Sequence, residues 1–293
     1  MSSPSSALDD PSRHSEIAER YGLLPSQTTH RVNILRNSGI KPGDRILEIG
    51  CGQGDCTAVL ALLYPHSHID AVDPAPLDYG APETLGQAQV RIKAYEFGDR
   101  ITFHQATPVD FLASVEDGRY DVAILCHCLW YFAGAEEVKR TLEAARGKAE
   151  RLCIAEWALK AGVKDAEAHV LAALVRAACE AHIPDSDQNI RTLLSPSGIQ
   201  KLAAEAGWKM QSEASLTPGR ELDDAKWEVG MLFLEDKADG ENLFMRRVKR
   251  EINEEKVHTL LQSMLDSVKT AVDAVGGKDN VQCMDVWVGV FMH

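Results

Sequence analysis

Four places in this sequence carry residues that could do chemistry together. The first is Arg45 to Asp55, R-I-L-E-I-G-C-G-Q-G-D, where Glu48 precedes glycines at positions 50, 52 and 54. A glycine turn after a strand lets backbone N–H groups approach a ligand closely. A triphosphate loop needs a lysine and then Ser or Thr after its last glycine; this chain has Asp55 and Cys56. The dinucleotide fingerprint places its third glycine one residue later, where Asp55 would meet a pyrophosphate with like charge. The second place is Asp73, 19 residues beyond Gly54 at the end of H-I-D-A-V-D-P-A. A carboxylate there can accept both hydroxyls of an unphosphorylated ribose. The third is Cys126-His127-Cys128, followed by Trp130, Tyr131 and Phe132, and the fourth is Glu156-Trp157. His127 and Glu156 are groups able to move protons. A lone C-x-C with no second ligand pair is not a zinc pattern, so no metal is expected.

Alternating elements must position these residues. Strand-like runs at 45–50, 68–73, 101–105, 120–126 and 151–157 are separated by helix-like stretches at 56–64, 84–97, 135–148 and 197–207. Such alternation predicts βαβ units on a parallel sheet covered on both faces. Before the first strand, 15–37 reads as helical and Gly39 as a stop. Lys164–Ile183 reads as one long helix, apolar around most of its circumference, with His169, Arg176 and Glu180 on a single face. It is either a mostly buried packing helix, or a lid helix or oligomer contact over the site. Apolar residues from Val257 to Val272 recur at helical spacing, and Cys283–Met292 reads as a last strand.

With 31 basic and 44 acidic residues, the chain carries a formal charge of −13, which disfavours nucleic acid and anionic membranes as partners. The basic cluster Arg246, Arg247, Lys249 and Arg250 is followed by Glu251, Glu254 and Glu255, and reads as a solvated helix face. Seven cysteines without a C-x-x-C pair, several of them in apolar runs, fit buried free thiols in a reducing compartment. The first residues are polar, Pro/Ser-rich and without an apolar core, and no apolar run approaches membrane-spanning length. A cytoplasmic location is expected.

The motif E-I-G-C-G-Q-G resembles the first motif, [ED]-x-G-x-G-x-G, of the class I S-adenosylmethionine-dependent methyltransferases, and the chain resembles their small-molecule, natural-product type. The resemblance runs from Lys41 to Leu216, with Met284–Phe291 as a seventh strand. It implies an α/β fold: a doubly wound, mostly parallel seven-stranded Rossmann-like sheet with helices on both faces and helical lid additions. The implied division is a disordered lead over 1–14 and a single methyltransferase domain over 15–293. That domain comprises cap helices at 15–40, a cofactor-binding core at 41–216, a helical insertion at 217–281 and the last strand at 282–293. The implied cofactor is S-adenosylmethionine, leaving as S-adenosylhomocysteine. The implied cofactor contacts are Glu48, Gly50, Cys51, Gly52, Gly54, Asp73, Pro74, Ala106, Thr107, Cys126 and His127. Thr107 stands where the family commonly has an acidic residue, which weakens the case for a side-chain contact to the adenine.

Methyl transfer displaces a sulfonium, so the protein mainly aligns a nucleophile, and a base helps if that nucleophile is a hydroxyl or thiol. His127 is the first candidate base and Glu156 the second. Tyr21, Trp130, Tyr131, Trp157 and His169 are the candidates for substrate binding. The place after the fourth strand reads C-H-C-L-W rather than the [DNS]-P-P-[YFW] motif of nucleic-acid methyltransferases, so a small molecule is the expected acceptor, with oxygen preferred. The same cofactor motifs would serve a protein that catalyses a rearrangement or cyclisation without methyl transfer, or a non-catalytic regulator. A monomer or homodimer is expected.

Overall fold

The computed structural model describes residues 8–186 and 188–293. Two cap helices, α1 (His14–Arg20) and α2 (Pro25–Leu35), precede β1 (Arg45–Ile49), α3 (Asp55–Leu63), β2 (His68–Asp73) and α4 (Leu85–Lys93). Then come β3 (Ile101–Gln105), α5 (Pro108–Ala113), β4 (Tyr120–Cys126), α6 (Ala135–Ala145) and β5 (Ala149–Trp157). The remainder is α7 (Glu167–Glu180), α8 (Pro196–Glu205), β6 (Lys209–Leu216), α9 (Asp224–Leu232), α10 (Leu243–Glu251), α11 (Glu255–Ala274) and β7 (Val286–Met292).

The seven strands form one sheet in the order β3-β2-β1-β4-β5-β7-β6. All neighbours are parallel up to β5, and β7 runs antiparallel to both β5 and β6. From β1 the chain winds outward to β2 and β3 on one side and returns to β4 on the other. The carboxyl ends of β1 and β4 therefore flank the point where winding reverses, the crevice in which open α/β sheets bind ligands. Ile49 of β1 lies opposite Leu125 of β4. Alternation along the strands divides the core. Ile46, Val122, Ile124, Cys153 and Ala155 join α2, α3, α7, α9 and α11 on one face. Leu47, Ile49, Leu125, Leu152 and Ile154 join α5, α6 and α8 on the other. This is the doubly wound α/β sheet expected, with both faces covered.

Several boundaries differ from the sequence reading for local reasons. The stretch 15–37 is two helices, because Gly22 takes a φ of 62° and Pro25 starts the second one. The lead expected to be disordered through residue 14 is docked from residue 8 onward: Leu8 and His14 are buried, and the Leu8 carbonyl is 3.0 Å from His14 Nε2. Residues 1–7 of that lead lie outside the described residues. The strand β6 was not resolved from pattern because most of its residues are exposed and it sits at the sheet edge.

The insertion after β6 supplies α9, α10 and α11, and α7 packs against α9 and α11. The polar face of α7 ties this layer together: Arg176 pairs with Glu228 of α9 at 3.2 Å, and Glu180 pairs with Arg247 of α10. The basic cluster on α10 is thus not a solvated face alone. Arg246 is held by Asp236, Asp239 and Glu241, and Lys249 by Glu241. Its charges are paired with acidic residues of the same protein. Among the described residues, no helix is long and apolar enough to cross a membrane.

Candidate active site

The glycine turn between β1 and α3 is forced into its path by steric limits. Gly50, Gly52 and Gly54 have φ of 76°, 53° and 90°, a region costly for residues with a Cβ. A Cβ at Gly50 would lie 2.5 Å from the Cβ of Cys128, and one at Gly54 would lie 2.8 Å from Ile92 Cδ1. A Cβ at Gly52 would meet nothing within 4 Å, so the middle of the turn presents bare backbone outward. Asp73, at the end of β2, holds the turn in place. Its Oδ2 accepts from Gly52 N at 2.8 Å and its Oδ1 from Ala75 N, just past Pro74, at 2.9 Å. Each oxygen keeps a lone pair for a further donor.

Glu48 is 1% exposed and accepts from Thr57 Oγ1 on α3. Burial pushes it up to about 7, against hydrogen bonds from Thr57 and Cys56 and the charge of Arg31. A cationic ligand beside it would favour the ionised form. Arg31 comes from α2, donates to Gln27 Oε1 at 3.0 Å, and has a buried Nε without a partner. Gln27 in turn donates to Asp224 of the insertion.

The tip of β4 carries the second half of the site. The strand ends when His127 N donates to Ala155 O at 2.9 Å, and His127 then turns with a φ of 52°. Cys128 Sγ reaches across to Ile49 O at 3.2 Å, locking the turn against β1. The strained backbone aims the His127 ring toward β5 and α2. Its Nδ1 lies 3.3 Å from Glu156 Oε1, and its Nε2 lies 2.9 Å from Nε2 of His30. Glu156 also accepts from Trp157 N and Leu129 N, each at 3.0 Å, so both carboxylate oxygens are engaged. Burial pushes Glu156 up to about 7, and the backbone hydrogen bonds and Arg31 act against that shift. Burial holds both His127 and His30 well below the ordinary histidine range, and the Arg31 charge adds to the effect on each.

Aromatic rings close around this pair. Trp157 lies 4.5 Å from His127, 5.7 Å from His30 in a stacked arrangement, and 5.0 Å from His169 edge-on. Trp130 is 6.3 Å from Trp157 and 6.4 Å from His169. His169, on α7, is fully buried, and burial takes it down to about 3. Its Nδ1 accepts from Met284 N at 3.1 Å, so the neutral ring carries its hydrogen on Nε2. That Nε2 and Trp130 Nε1 are buried without partners.

The structure thus brings together His127, Glu156, Trp130, Trp157 and His169 from β4, β5 and α7. It does not bring Tyr21 there. The Tyr21 ring packs on Tyr95 and Phe97, and its hydroxyl donates to Glu96 Oε1 at 2.6 Å. The apolar side of α1 places it in the core, where it serves packing. Tyr131 is half exposed at the rim, on a short turn apart from the ring cluster. Thr107 is the cap of α5: its Oγ1 accepts from Asp110 N and donates to Asp110 Oδ2, which occupies its side chain. The Ala106 N–H is used by Asp73 O. Cys51 and Cys126 are buried free thiols beside the turn. His30 was missed as a site residue, since nothing in T-T-H-R distinguishes it from an ordinary residue of an amphipathic helix.

A family model described as a methyltransferase domain matches residues 46–148, from β1 to the loop before β5. A solved cyclopropane-fatty-acyl-phospholipid synthase-like protein from Lactobacillus casei is 30% identical, with a TM-score of 0.78 over 92% of this chain and 91% of that one. The chain belongs to the class I S-adenosylmethionine-dependent methyltransferases. Methyltransferase phomM' of Diaporthe leptostromiformis is 27% identical over 90% of this methyltransferase and 77% of its own length. A phosphoethanolamine N-methyltransferase from Haemonchus contortus, solved with S-adenosylhomocysteine, shares the fold at 12% identity. Its TM-score is 0.50, covering 90% of this chain and 52% of that one. Membership of that family makes S-adenosylmethionine the cofactor.

Proposed function

We propose that this methyltransferase acts on an oxygen of a small molecule, and that the buried His127–Glu156 pair takes up the acceptor's proton. The observation that carries this reading is the 3.3 Å contact between His127 Nδ1 and Glu156 Oε1 at the tip of β4, beside the glycine turn. An amine already has a free lone pair once neutral, whereas a hydroxyl needs its proton removed as the new bond forms.

The residues of the turn fit the cofactor. Gly52 offers open backbone to the nucleoside, and Asp73 keeps lone pairs for the ribose hydroxyls. Glu48 is a buried acid that a cation would ionise, matching the methionyl ammonium. Arg31, with an unpartnered buried Nε, matches the methionyl carboxylate. Bound there, the cofactor supplies an electrophilic methyl group on a sulfonium. The protein's own share is to hold the acceptor in line, a contribution of about 7–11 kcal/mol in well-oriented systems. Trp130 and Trp157 would wall the acceptor, and the unpartnered N–H groups of Trp130 and His169 would bind its oxygens. Tyr131 would border the entrance. The acidic surface and the lid of α9, α10 and α11 support an enclosed small-molecule pocket in a cytoplasmic protein.

Asp73→Asn is expected to weaken S-adenosylhomocysteine binding about 10–100-fold, since a charged acceptor of a hydrogen bond is worth about 1.5–3 kcal/mol. Calorimetry would show it, and unchanged affinity would remove the ribose assignment. A second reading is addition to a carbon–carbon double bond, favoured by the name of the 30% identical relative. Transfer from cofactor carrying a CD3 group separates the two by product mass. An O-methyl product keeps all three deuterons, whereas ring closure to a cyclopropane loses one. Turnover of an acceptor without release of S-adenosylhomocysteine would reject both in favour of a rearrangement or cyclisation.

A further inference from the structure

The proposed use of His127 as a base meets an obstacle in the structure: the nitrogen that would face an acceptor is already engaged. His127 Nδ1 points at Glu156, and its Nε2 is 2.9 Å from Nε2 of His30. His30 Nδ1, on the far side of that ring, makes no hydrogen bond to any described residue. His30 is only 6% exposed and stacks on Trp157, the ring shared with His127 and His169. We propose that His30 is the group that receives the acceptor's proton, and that His30, His127 and Glu156 form a relay whose final proton holder is Glu156. The proposal rests on the reading that the acceptor carries a proton to be removed.

The bookkeeping of hydrogens follows from the contacts. When Glu156 is ionised it can only accept, so His127 carries its hydrogen on Nδ1 and accepts at Nε2. His30 then carries its hydrogen on Nε2, and its Nδ1 lone pair is free. As the acceptor oxygen forms its bond to the methyl group, its proton passes to His30 Nδ1. The His30 Nε2 hydrogen passes to His127 Nε2, and the His127 Nδ1 hydrogen passes to Glu156 Oε1. Each imidazole gains one proton and loses one, ending neutral with its hydrogen on the opposite nitrogen. One proton leaves the acceptor and one is gained by the carboxylate.

Electrostatics favour this over an imidazolium. Arg31 on α2 is the charge that acts on His30, His127 and Glu156 alike, with Cys126, Cys128 and Tyr131 at and beyond the end of β4 and His169 on α7 around them. Further out, Glu48 and Asp73 face Cys128, and Asp224 and Glu228 of α9 face Tyr131. The full charge that acts on both histidines is positive, and the methyl donor adds another. A cation on either histidine would be buried and would face the like charge of Arg31. Protonating Glu156 removes a buried charge instead. Burial raises Glu156 to about 7 and depresses both histidines, in keeping with that order of proton affinity.

The test needs no acceptor. Nitrogen-15 imidazole spectra of the full chain with S-adenosylhomocysteine would be recorded between about pH 5.5 and 8.5, a window around the raised carboxyl. At the upper end, His127 should show Nδ1–H and His30 Nε2–H. Toward the lower end both should switch to the opposite nitrogen with one shared midpoint, and neither should show imidazolium shifts. Glu156→Gln should abolish the switch in both rings, an outcome that a merely structural ring contact would not produce. A His30 that keeps one tautomer throughout, or that protonates to imidazolium independently of Glu156, would overturn the relay. A shared switch together with a labelled product that has lost one deuteron would keep the relay and reject the oxygen acceptor.

Discussion

Replacing His127 with asparagine is expected to lower kcat by about 10²–10⁴-fold, the contribution of a positioned acid–base group. Affinity for S-adenosylhomocysteine should change little. Asparagine is the informative substitution because His127 sits at a φ of 52°, where asparagine is among the few residues that fit without strain. The turn at the β4 tip, with the His127 N–H on Ala155 O and Cys128 Sγ on Ile49 O, should therefore survive. The asparagine amide can still touch Glu156 but cannot take up and release a proton. Steady-state turnover and calorimetry on the same preparation would check both halves. Unaltered kcat would reduce His127 to a packing residue.

Gly50→Ala should carry the largest stability loss of the glycine-to-alanine changes in the turn after β1. The added Cβ would stand 2.5 Å from Cys128 Cβ and 2.9 Å from its Sγ, at a φ of 76°. The strain of a left-handed residue is about 1–2 kcal/mol, and overpacking a filled site adds about 1–3 kcal/mol. At about 2–3 °C per kcal/mol for a chain of this size, Tm should fall by about 4–15 °C. Gly52→Ala is the control. It shares the positive φ but meets nothing within 4 Å, so it should lose only the strain component. Pairing Gly50→Ala with Cys128→Gly should restore the overpacking component alone. Thermal melts of the three variants would decide it, and equal losses for Gly50→Ala and Gly52→Ala would remove the steric account.

The fold was largely legible because its signals are local. Buried parallel strands appear as short apolar runs, helices as a 3.6-residue period, and their alternation leaves few sheet topologies open. The glycine turn was legible for the same reason, since glycines at 50, 52 and 54 answer backbone angles set by their immediate surroundings. The edge strand β6 was not resolved, because exposed residues carry no burial pattern. Tyr21 was misjudged: an aromatic residue near the chain start can face a ligand or a core, and only its contact with Glu96 distinguishes them.

The sequence by itself determined the glycine turn after β1, the acid that ends β2 and the titratable residues His127 and Glu156 at the ends of β4 and β5. Each of these follows from neighbours a few residues away. Tertiary structure decided which side chains meet them. His30 and His127 are 97 residues apart, and their contact exists only because α2 packs over the sheet where β4 ends. A helix periodicity states which face of α2 is buried, but not which histidine that face will touch. The reaction chemistry proposed here depends on that contact.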